Sequence, residues 1–158
     1  MTTPAVMEGS VVSMPKQSYH VTVYRSDADH AIATTRTFQL TLGARRANPT
    51  AGFNPVETLL AALGSCLLTA LTAVADLSRV PMDSASIALT ATRQDQPLQL
   101  VGITYQLVVQ TPVSADRLDR LIELAKKNST VYQTLRQALP IEGTWEQGTG
   151  AEVSSNKA

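Results

Sequence analysis

Asn54-Pro55-Val56-Glu57-Thr58-Leu59-Leu60-Ala61-Ala62-Leu63-Gly64-Ser65-Cys66 is the stretch on which the reading of the fold turns. Asn54 is a helix N-cap, Pro55 suits the first helical position, and Glu57 stands three residues after the cap, the spacing of a capping box. The pattern predicts a helix to Leu77 or Arg79, stopped by Pro81. Thr58 to Ala75 is an uncharged run of 18 residues, which touches the threshold for a membrane span. Five of those positions are Ser, Thr or Gly and five are Ala, with no flanking aromatic belt and no one-sided Lys/Arg cluster. The run therefore reads as a central helix buried on all sides, with no membrane partner.

Before this helix, Tyr19 to Arg25 and Ala31 to Leu42 carry β-branched and aromatic residues, and Ser26-Asp27-Ala28-Asp29 between them reads as a hairpin turn. A Gly-, Pro- and Asn-containing loop from Gly43 to Phe53, with Arg45 and Arg46, leads into the helix. After it come strands Ala85 to Thr92 and Leu98 to Val109, separated by Arg93 to Pro97. Ser114 caps a second helix whose Leu118, Leu121, Ile122 and Ala125 form an amphipathic stripe. Asn128-Ser129 breaks it, the Thr130 and Gln133 spacing predicts a short helix over Val131 to Ala138, and Ile141 to Trp145 closes as a strand. Strand pairs separated and followed by helices exclude a doubly wound sheet, so the class is α+β in a single domain over 1–158. The first 16 residues lack a signal-peptide core, and Gly148 to Ala158 reads as a loose tail. An apolar helix of about 24 residues, roughly 35 Å long, is too much for so small a monomer to cover, which predicts an obligate homodimer built around it.

Composition narrows the function. The 158 residues are 44% hydrophobic, which excludes disorder, and 13 basic against 13 acidic side chains leave no field to gather nucleic acid. One cysteine cannot form an internal disulfide, and His20 and His30 make no metal-ligand spacing, so a reducing, cytoplasmic setting with no metal and no cofactor is expected. Cys66 sits about three turns into the helix, on the face of Leu59, Ala62, Leu63, Ala70, Ala73 and Leu77. By itself this favours a small buried hydrophobe. A reactive thiolate there would need a cation from another segment or subunit, because the helix dipole acts only within the first turn.

The Asn54 to Cys66 run resembles the helix signature of the OsmC/Ohr family, the osmotically induced and organic-hydroperoxide-resistance proteins, and the order of elements is similar over residues 18 to 147. The resemblance implies an intertwined homodimer with the long helices at its centre and a peroxidase that reduces organic hydroperoxides. Cys66 falls on the family's peroxidatic cysteine. Ser129 stands where the family's resolving cysteine would be, so an external thiol would have to reduce the sulfenic acid. Val56 takes the place of the family's catalytic glutamate, and Glu57, one residue on, reads as a capping group or as a site residue reaching a partner chain. Active relatives carry an arginine in the first hairpin turn, and here Arg25, Arg36, Arg45 and Arg46 are the candidates. Two functions compete: a peroxidase acting through Cys66, and a non-catalytic protein that binds a small apolar molecule.

Overall fold

The computed structural model describes residues 15–46 and 48–148. The expectations of no leader in the first 16 residues and of a loose tail from Gly148 fall, apart from Pro15, Lys16 and Gly148, outside the described residues. Two compact units divide the chain, Met1–Ala51 and Gly52–Ala158.

The first unit is an antiparallel sheet of β1 (Thr22–Arg25), β2 (His30–Thr35) and β3 (Phe38–Gly43) in that order, followed by a 3-10 turn, Pro49–Ala51. Asp27 shapes the first turn, its Oδ1 accepting from the backbone N–H groups of Asp29 (2.8 Å) and His30 (2.9 Å) and facing His30 Nδ1 at 2.9 Å. The strand expected over Ala31 to Leu42 is in fact two, reversed through Arg36-Thr37, with Thr35 opposite Phe38. Arg36 carries the turn at φ 52°, a conformation ordinarily left to glycine, so no turn residue announced it. Its guanidinium lies 5.5 Å from the Phe38 ring centroid, an attraction that offsets part of that cost.

The second unit runs α1 (Pro55–Leu77), β4 (Ser84–Asp95), β5 (Leu98–Gln110), α2 (Ala115–Asn128), α3 (Thr130–Leu135) and β6 (Ile141–Gly148). Its sheet has the order β4-β5-β6, antiparallel between β4 and β5 and parallel between β5 and β6. The parallel pair requires a crossover, which α2 and α3 supply. β4 and β5 run closer to their turn than the sequence suggested, with Asp95 opposite Leu98 and only Gln96 and Pro97 between them, and a bulge at Val101 shifts the register beside Thr92 and Arg93. β4 alternates: Ile87 and Leu89 pack inward while Ser86, Ala88 and Thr90 are exposed. On β5, Ile103, Tyr105, Leu107 and Val109 are buried, and the α2 stripe Leu118, Leu121, Ile122 and Ala125 is buried with them. Leu63, Leu67, Leu71 and Val74 of α1 complete this core.

The helix breaks where expected, at a serine suited to an N-cap, while the capping box of Thr130 and Gln133 does not form. Ser129, not Thr130, caps α3, its Oγ accepting from Tyr132 N–H at 3.4 Å, and Gln133 turns instead to the Lys126 carbonyl at 2.8 Å. Ser114 occupies the N-cap of α2 without a side-chain bond to it. α1 is long and apolar enough to cross a bilayer, but it packs against α2, α3 and β4 as the core helix of its unit.

Candidate functional site

The capping box at the head of α1 forms in full: Asn54 Oδ1 accepts from Glu57 N–H at 2.9 Å, and Glu57 Oε2 accepts from Asn54 N–H at 2.9 Å. Both Glu57 bonds close on the helix start, nine residues and about 13 Å of helix before Cys66. Of the two roles left open for Glu57, the structure shows the cap. Val56, ten residues before the cysteine, is half-buried and offers no acid.

Around α1, three flanks differ. Gly64 faces β4: a Cβ there would come within 2.9 Å of Leu89 Cδ1 and 3.2 Å of Ile87 Cγ2, so the close approach of helix and strand depends on glycine. Leu63, Leu67, Ala70 and Val74 form the buried flank. The third flank is open, with Ala61, Ala62, Ser65, Thr69, Thr72, Ala73, Asp76 and Leu77 all exposed, Leu77 to 86%. Cys66 is half-buried, at the margin between the core flank and the open one. Two residues beyond Gly64, about 200° around the helix, it is turned away from β4. An open groove of about 720 Å³ runs between α1 and β4, over Gly64, Ser65, Leu68, Thr72, Ile87 and Leu89, and Cys66 does not line it. This groove and the thiol therefore belong to different sides of one helix.

Ser129 lies fully buried in the same unit as Cys66, and its oxygen is used in the cap of α3. Nearby in the chain, Lys126 donates to Glu123 Oε1 at 2.6 Å and faces the Tyr105 phenol. Burial pushes the Tyr105 phenol up, only partly countered by Lys126. Desolvation pulls the Lys126 ammonium down, but the bond to Glu123 and the neighbouring phenols outweigh it and hold the lysine above its ordinary range. The cavity beneath, about 10 Å³ between Leu67, Tyr105, Ile122 and Lys126, has room for about one water and no larger ligand.

The four candidate arginines lie in the first unit. Arg25 donates to the Ala28 carbonyl at 3.3 Å, Arg36 stacks on Phe38, and Arg45 is 3.7 Å from Asp29 Oδ1. Arg46 is exposed and has no partner among the described residues. Sequence reasoning missed Asp29, which holds the arginine loop by accepting from Ala44 N–H (2.7 Å) and Asn48 Nδ2 (3.0 Å). No spacing rule signals a bond of that span. Among the described residues, no group of three His, Cys, Asp or Glu side chains is placed to hold a metal ion.

Residues 47–143 match the family model described as OsmC-like protein. The chain is 25% identical over 125 residues, 75% of its length, to a protein of Mycoplasma genitalium named hydroperoxide reductase, of which it covers 87%. Its fold is similar to the crystal structure of an OsmC-like protein from Mycoplasma pneumoniae, with a TM-score of 0.78 at 22% identity, covering 84% of this chain and 99% of that one. It is similar also to the organic hydroperoxide resistance protein OhrB of Bacillus subtilis, with a TM-score of 0.61 at 17% identity over 82% of this chain and 98% of the other. By the match over more than half of its length, the chain belongs to the OsmC-like protein family.

Proposed function

We propose that this chain is a thiol-dependent peroxidase acting on organic hydroperoxides through Cys66. The observation that carries the reading is the half-buried thiol on the open margin of α1, within the family-matched segment of a chain whose relatives include a hydroperoxide reductase. The Cys66 thiolate attacks the terminal peroxide oxygen, the O–O bond breaks, and the alkoxide leaves as an alcohol after taking a proton. Sulfur is oxidised to a sulfenic acid. The chain has no second cysteine, so an external thiol condenses with the sulfenic acid, releasing water, and a second equivalent returns the Cys66 thiol and leaves an external disulfide. That cycle suits a reducing compartment such as the cytoplasm. The working unit is a homodimer, because the open flank of α1 exposes Ala61, Ala62, Ala73 and Leu77 on a helix otherwise built for burial.

Treatment with tert-butyl hydroperoxide and dimedone tests the chemistry. A single adduct at Cys66, with no disulfide between or within chains and none in Cys66→Ser, is the expected result. An unmodified thiol after minutes in excess peroxide overturns the reading in favour of small-molecule binding without catalysis.

A further inference from the structure

We draw no further inference here: the strongest candidate, the open groove of about 720 Å³ between α1 and β4 with its apolar floor of Gly64, Leu68, Ile87 and Leu89, carries nothing because nothing in the structure shows what covers it.

Discussion

The side chains that the sequence singles out are mostly occupied with architecture, which leaves the proposed chemistry to one sulfur. Glu57 closes the capping box, Ser129 caps α3 and Arg45 is held by Asp29. Asp27 shows how far a single carboxyl can organise a turn. The N–H of Asp29 and the His30 side chain, with a lesser part from the His30 N–H, hold it below its ordinary value of 3.8 against the opposing effect of desolvation. A depressed acid contributes its full stabilisation above 3.8 and loses it as pH falls through the lower folded value. Amide exchange at Asp29 and His30 should therefore accelerate below about pH 4 beyond its intrinsic acid dependence. In Asp27→Asn that extra acceleration should be absent. Equal profiles in the two proteins would show that the turn is held by other means.

At the level of elements, close approach is what the sequence concealed. Gly64 lets β4 lie against α1, and Gly143 on β6, paired with Tyr105 on β5, leaves room for the tyrosine ring, which would overlap any Cβ placed there. Nothing in an amphipathic pattern distinguishes such a glycine from one in a loop. Because the Tyr105 ring is buried and fixed between β6 and Lys126, Gly143→Ala should destabilise the protein by about 2–3 kcal/mol through overpacking. Thermal unfolding measures it. Tyr105→Leu in the same background should recover part of the loss, and a neutral Gly143→Ala would mean the ring has another place to go.

Taken whole, the molecule carries an apolar helix of 23 residues, in which an apolar stretch of 18 is 39% buried. In the homodimer proposed above, that uncovered helix is the surface which association buries. Ala73→Lys, which sets a charge on the open flank without touching the core, should convert the dimer to monomer and remove the dependence of the melting temperature on protein concentration. Sedimentation and a dilution series read both effects. Persistence of a dimer would place the interface on another surface.

The sequence by itself determined what depends on neighbours along the chain. The capping box at Asn54 and Glu57, the 3.6-residue stripe of α2 and the alternation of β4 are all local, and the Asn54 to Cys66 signature identified the family from thirteen residues. The hidden turn at Arg36 escaped because it uses a residue that ordinarily avoids a left-handed φ. Only tertiary structure decided which side of α1 meets β4, that Cys66 lies on the margin away from the groove, and that Asp29 anchors the arginine loop. These are contacts between segments far apart in the chain, set by the shapes of surfaces meeting in space, and periodicity along one segment contains no information about what will lie against it.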